Sequence, residues 1–131
     1  MSMRKVLGVI LISLFAMAVL AACGGGGAST AAPASANAKT FTVETTEFAY
    51  NPNTFSASVG QPIAFKITNK GTVDHTFVIM DLDGKEAAKA TIKTGGTETL
   101  QFTPTAAGNY PIVCDLPGHK EAGMQGTLTV K

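Results

Sequence analysis

The sequence predicts an all-β domain, a Greek-key sandwich or barrel of seven or eight short strands. Three observations lead there. From Lys39 onward apolar and polar residues alternate in short runs, Gly, Pro and Asn separate the runs, and no long apolar period of the helical kind appears. Strands that are apolar on one face bury that face against a second sheet. A chain of 131 residues with one such pattern has room for one domain, and it shows neither an internal repeat nor a second domain.

The elements follow in order. Phe41 and Val43 alternate with polar neighbours in a first strand. Phe55, Ala57 and Val59 repeat the pattern before a turn at Gly60, Gln61 and Pro62. Ile63, Phe65 and Ile67 form the clearest alternation, with Ala64, Lys66 and Thr68 on the other face and Asn69, Lys70 and Gly71 closing the strand. Another strand runs from Asp74 and His75 to Met80. Residues 81–93 carry Ala87, Ala88 and several charges, which suits a short helix, and Asp83-Gly84 marks a turn among them. Leu100 and Phe102 define a strand over 97–102, residues 104–109 a corner, and 110–114 and 125–131 the last two strands.

The N-terminus is not part of this domain. Arg4 and Lys5 precede the apolar residues 6–20, and Leu20-Ala-Ala-Cys23 resembles the bacterial lipobox, so residues 1–22 read as a lipoprotein export signal. Cys23 then carries lipid, and its several acyl chains hold the mature protein to a membrane, facing the periplasm or the cell exterior. A plain secretory signal cut after an alanine and an uncleaved anchor are the alternatives, and both also export the domain. The segment is short for a stable transmembrane span. Residues 24–38 are Gly, Ala, Ser, Thr, Pro and Asn, with one Lys following at position 39, and bury too little to offset their ordering entropy. As a flexible linker they reach about 20 Å. The domain proper is residues 39–131.

The whole chain has a formal charge of +1, and losing Arg4 and Lys5 takes the ten basic residues just below the nine acidic ones. No basic run points to nucleic acid. Cysteine is more telling. Exported domains pair their cysteines, yet with Cys23 given to lipid, Cys114 stands alone. It is a buried inert thiol, a partner of Cys23 in an unprocessed chain, or a metal ligand.

Its neighbours favour the last. Cys114, His119 and Met124 are separated by four residues each, in a stretch rich in Gly and Pro that forms loops and not one helical face. Thiolate, imidazole and thioether together suit copper better than zinc or iron. The fourth candidate is His75, one of only two histidines, at a point where a loop enters a strand and an imidazole can be held rigidly. Taken singly, Met124 is ordinary core filling and His75 an ordinary hydrogen-bonded residue. Taken jointly, the four make a blue electron-transfer site, with two imidazoles and a thiolate in a plane and a thioether along the axis.

The stretch Cys114-Asp-Leu-Pro-Gly-His119-Lys-Glu-Ala-Gly-Met124 resembles the copper loop of the cupredoxins, in the plastocyanin and azurin group. Phe41-Thr-Val43, Asn51-Pro52, Phe55, Val59-Gly60, Ile67-Thr-Asn69 and Asp74-His75-Thr-Phe77 sit in the order such domains use, and among them the chain resembles the lipid-tethered or membrane-anchored auracyanin-like proteins of bacteria. The resemblance implies a cupredoxin-like fold with one type 1 copper ion on His75, Cys114, His119 and Met124. It also implies that the N–H of Thr76 donates to the cysteine sulfur, to which Leu116 could add a second bond, while Pro117 stiffens the loop and offers no donor. The Cys-to-His spacing is that of azurin and the His-to-Met spacing that of plastocyanin. Asp74 stands where azurin-like sites have Gly, so four ligands are expected without a fifth carbonyl.

A site closed by four protein ligands leaves no position for substrate. The expected function is therefore one-electron transfer by a monomer, not catalysis, with transient redox partners docking near His119 on Leu116, Pro117, Ala122 and Met124. The alternative is a copper chaperone or sequestering protein, although a Met-rich or His-rich tract is missing from the mature chain. Two histidines are too few for a catalytic copper centre, and one loop cysteine is too few for a binuclear one. Zinc would leave the thioether without purpose.

Overall fold

The computed structural model describes residues 35–131. The expected export signal over 1–22, Cys23 and the expected linker up to residue 34 lie outside the described residues. The end of the expected linker, residues 35–38, makes a turn closed by Ala38 N–H donating to the Ser35 carbonyl at 2.8 Å.

The alternating runs form nine strands: β1 (Lys39–Thr46), β2 (Ala49–Asn51), β3 (Thr54–Ala57), β4 (Ile63–Asn69), β5 (His75–Met80), β6 (Glu86–Ile92), β7 (Thr97–Phe102), β8 (Gly108–Val113) and β9 (Gln125–Val130). One sheet has the order β2-β1-β4-β7 and the other β3-β9-β8-β5-β6. The fold is thus an all-β sandwich of two sheets, as expected. β1 runs parallel to β4 and β3 parallel to β9, and the remaining pairs are antiparallel.

The core lies between the sheets and is built by the predicted alternation. Val43, Ile63, Phe65 and Ile67 come from one sheet, and Phe77, Ile79, Ile112 and Leu128 from the other, all at most 1 % exposed. Phe65 ties the two together. Its ring meets Phe41 at 5.4 Å within its own sheet, and Phe55 and Phe77 of the opposite sheet at 5.1 Å each. Aromatic rings bury more surface than any other side chain and add a preferred packing geometry to it.

Three expectations need correction. Nine strands replace seven or eight, because β2 and β6 lie in stretches that carry no strong β signal. Residues 86–92 form a strand and not a helix: β6 pairs with β5 in the register His75↔Ile92, Phe77↔Ala90 and Ile79↔Ala88. The ladder along β5 outweighs a weak preference of two alanines for helix. The expected turn at Asp83-Gly84 is present, with Gly84 at φ 78° and its N–H donating to the Asp81 carbonyl. Val59 is 46 % exposed and not half-buried in a strand. β3 ends at Ala57, and the chain turns there to let the Gly60 N–H reach the Pro104 carbonyl.

Because Phe65 joins the sheets, replacing Phe65 with Ala should cost about 3–5 kcal/mol of stability. A urea titration of the metal-free domain should show the midpoint fall accordingly; a midpoint within error of the parent would remove Phe65 from the centre of the core.

Candidate metal centre

Strand register brings distant residues to one end of the second sheet. β8 pairs with β5 through Val113↔Val78 and with β9 through Val113↔Gln125. Cys114 therefore leaves β8 beside the start of β5, which His75 begins, and beside Met124, which precedes β9. The Cys114 N–H donates to the Met124 carbonyl at 3.2 Å, extending the ladder by one residue. His119 arrives on the loop between β8 and β9. That loop is a chain of tight turns: His119 N–H donates to the Leu116 carbonyl at 3.1 Å, Ala122 N–H to Gly118 at 3.0 Å, and Met124 N–H to His119 at 3.0 Å. Gly118 and Gly123 take φ 81° and 104° there, which Gly adopts without strain.

The donor atoms converge. His75 Nδ1 and His119 Nδ1 are 3.3 Å apart, Cys114 Sγ and His119 Nδ1 3.4 Å, and the three donor atoms lie within 4.8 Å of one another. Donors bound to one metal at about 2.0–2.3 Å with angles near 110° have such separations, so the residues fit an ion. His75, Cys114 and Met124 are fully buried, whereas His119 is half-buried. Burial, followed by the facing His119, pushes His75 below its ordinary pKa. The imidazole is thereby kept neutral, with a lone pair for a metal.

Several residues that the sequence did not single out hold this end together. Asn69, buried at the end of β4, donates from Nδ2 to the Val73 carbonyl at 2.7 Å and the Ile92 carbonyl at 3.2 Å, and accepts from the Gly71 N–H at 2.9 Å. It shapes the loop that delivers His75. Asp74 accepts from Lys93 Nζ at 2.7 Å and Thr94 N–H at 2.9 Å, tying the same loop to the turn after β6. Tyr50 donates its hydroxyl to the Thr76 carbonyl at 2.6 Å. The signal for Asn69 and Tyr50 is that a buried polar side chain must find a partner, but a sequence does not say which polar residues are buried.

The Thr76 hydroxyl lies beside the sulfur, with Oγ1 3.4 Å from Cys114 Sγ, where the expectation was a bond from the Thr76 N–H. The same oxygen is 2.7 Å from Asp115 Oδ1 and accepts from the Asp115 N–H at 3.0 Å. Asp115 in turn meets Lys89 Nζ at 2.6 Å. Lys89, followed by Thr76, holds the Asp115 carboxyl below its usual range. Leu116 packs half-buried against the core and offers its carbonyl to His119, and Pro117 is exposed.

Phe48 is the other residue missed. It sits in the two-residue loop between β1 and β2, where Thr46 pairs with Ala49, and its ring centroid is 5.1 Å from that of His119 at 88°. Phe48 has φ 60°, alone among the described non-glycine residues in having positive φ. For a bulky side chain that conformation costs on the order of 1–3 kcal/mol.

With this geometry the comparisons with known proteins agree. A family model described as a cupredoxin-like domain matches residues 9–130. The chain belongs to the cupredoxin-like domain family. Among curated proteins it is similar to auracyanin-A of Chloroflexus aurantiacus, 30% identical over an alignment of 154 positions, gaps included, that covers 92% of this chain and 94% of the relative. It is also 25% identical over 98 residues to the copper-resistant cuproprotein CopI of Rubrivivax gelatinosus, covering 63% of this chain and 59% of that protein's length. Among solved structures, the dithionite-reduced auracyanin of Roseiflexus castenholzii superposes with a TM-score of 0.65 at 26% identity, over 72% of this chain and 98% of the other. In a cupredoxin, His75, Cys114 and His119 clustered beside a buried Met124 are the set typical of a type 1 copper site.

Lys93 and the Thr94 N–H also hold the Asp74 carboxyl below its ordinary value. A depressed folded pKa contributes stability fully present above the unfolded value of about 3.9 and lost as pH falls through the lower folded value. Asp74→Asn should therefore destabilise the metal-free domain at neutral pH and differ less from the parent as pH drops below about 4. Urea midpoints at several pH values check this; a constant gap down to the lowest pH would remove Asp74 from the linkage.

Proposed function

We propose that this protein carries single electrons between redox partners outside the cytoplasm, bound to a membrane by lipid on Cys23, with His75, Cys114, His119 and Met124 as the ligands of one type 1 copper ion. The single observation that carries the reading is the convergence of three donors, with His119 Nδ1 3.3 Å from His75 Nδ1 and 3.4 Å from Cys114 Sγ and all three within 4.8 Å of one another, beside a buried methionine. Copper bound there supplies one-electron exchange between Cu(I) and Cu(II) without an open position for substrate.

The residues of the chain set the terms of that exchange. His75 and Met124 come from the edges of hydrogen-bonded strands and His119 from a loop closed by backbone bonds, so the donors hold their places in either oxidation state. A site that is pre-arranged and rigid reorganises little. Burial of Cys114, His75 and Met124 keeps water from the thiolate, and the Thr76 hydroxyl, donating to Asp115 Oδ1 at 2.7 Å and accepting from the Asp115 N–H at 3.0 Å, fixes the residue after the cysteine.

Half-buried His119 is the way out for an electron, and half-buried Leu116 with exposed Pro117 and Ala122 supplies a small apolar surface around it. Met124, at 0% exposure, belongs to the site and not to that surface. Small, partly apolar contact suits partners that must separate quickly, and a monomer meets them one at a time. The near-neutral sequence offers no run of basic residues to attract nucleic acid.

A copper chaperone or sequestering protein is the second reading, favoured by the similarity to the copper-resistant cuproprotein CopI. The two differ in what moves. A carrier keeps its copper through repeated reduction and oxidation, and a chaperone yields it to an acceptor.

Addition of Cu(II) to the purified domain should give an intense blue thiolate-to-copper absorption, and Cys114→Ser should abolish it. A colourless complex, or colour that survives the substitution, would end the carrier reading. Met124→Leu should keep the colour and raise the reduction potential, measured by voltammetry, because an apolar side chain in place of the thioether would stabilise Cu(II) less. An unchanged potential would remove Met124 from the ligand set.

A further inference from the structure

Three observations at Phe48 do not fit a residue kept for folding. It is 43 % exposed and lies outside the hydrophobic core. It holds φ 60° in a two-residue hairpin loop, a place that Gly or Asn fills without strain. Its ring stands nearly perpendicular to that of His119, with centroids 5.1 Å apart. Backbone strain kept at an exposed aromatic is accounted for by what the ring touches.

The neighbourhood explains what the ring does. His119 is the half-buried member of the site, while His75, Cys114 and Met124 are fully buried. Its imidazole is carried by a loop of turns, not by a strand, and so relies on packing to fix its angle. Glu47, next to Phe48, anchors the hairpin from the other side by accepting from the Thr72 hydroxyl at 2.8 Å and from the Thr72 N–H. The hairpin is thereby fastened to the loop that precedes His75, and Phe48 is carried to His119 on a fixed arm.

We propose that Phe48 is a positioning residue for the metal centre: its ring holds the His119 imidazole at the angle its donor atom needs and shields the metal from external ligands. The inference rests on the copper reading above and goes beyond it by assigning the hairpin between β1 and β2 to the site.

The test compares the parent with Phe48→Gly and Phe48→Asn, which remove the ring and suit the backbone, and with Phe48→Trp, which keeps an aromatic. In the copper-loaded glycine and asparagine variants, transfer of copper to a chelator should quicken by about ten- to hundredfold. Added free imidazole should alter their visible and electron-paramagnetic spectra at concentrations that leave the parent unchanged, and the tryptophan variant should stay near the parent. The melting temperature of metal-free Phe48→Gly should equal or exceed that of the parent. In the metal-free protein, the His119 ring-proton resonances should shift and broaden in Phe48→Gly. Copper transfer and spectra equal to the parent would overturn the proposal, and so would a lower melting temperature in both the glycine and asparagine variants, which would make Phe48 a folding residue. Failure of the parent itself to turn blue with Cu(II) would sink the copper reading instead, while the His119 resonances would still report whether the ring is held.

Discussion

The register of three neighbouring strands is the constraint on which the site depends. Val78 opposite Val113, and Val113 opposite Gln125, put the start of β5, the end of β8 and the start of β9 at one end of one sheet. A slip of one residue turns a strand's side chains to the other face: in the first pairing it would separate His75 from Cys114, and in the second Met124 from Cys114. Register is held in turn by the buried faces of those strands: Phe77, Ile79, Ile112 and Leu128 are all fully buried and cannot be exposed without large loss. The hydrophobic core thus fixes the positions of the donor atoms, and site geometry follows from core packing.

Around that frame, polar contacts fasten what strands alone leave free. Asn69 and Asp74 secure the loop before His75 from two sides, one buried and one exposed. Thr76 and Asp115 link the first residues of β5 to the residue after Cys114, and Lys89 on β6 holds the Asp115 carboxylate in that link. The Lys89 pair is exposed enough to add little to stability by itself. Its contribution is geometric: three adjacent strands of one sheet are cross-linked within one residue of the cysteine. Glu47 and Phe48 extend the same fastening to the other sheet, so both layers of the sandwich meet at the histidine that faces solvent.

The alternation in β1, β4 and β7 was legible because each strand turns its large apolar residues to the core and mostly polar ones the other way. β6 was not, since its inward residues Ala88, Ala90 and Ile92 include two alanines, which carry little apolar signal and lean toward helix. Val59 misled for the opposite reason: it continues an apolar alternation one step past the point where the chain turns out of the sheet. Cys114, His119 and Met124 were readable as a set because their spacing is local and the chain has only two cysteines and two histidines. His75 was readable because there was only one other histidine. Asn69, Asp115 and Phe48 carried no such mark, since Asn, Asp and Phe are common and their roles arise from contacts with residues up to 71 positions away.

By itself the sequence determined the chemistry: which donors are available, that they are soft, that two histidines and one loop cysteine restrict the site to a single closed metal, and that two sheets must close over an alternating core. Those properties depend on residue type and local spacing, which a chain carries before it folds. The tertiary structure alone decided how the donors are held, from the 3.3 Å approach of two imidazoles 44 positions apart to the hydroxyl that meets the sulfur and the strained phenylalanine against His119. These are distances between residues remote in sequence, and they come into being only when the strand register is set.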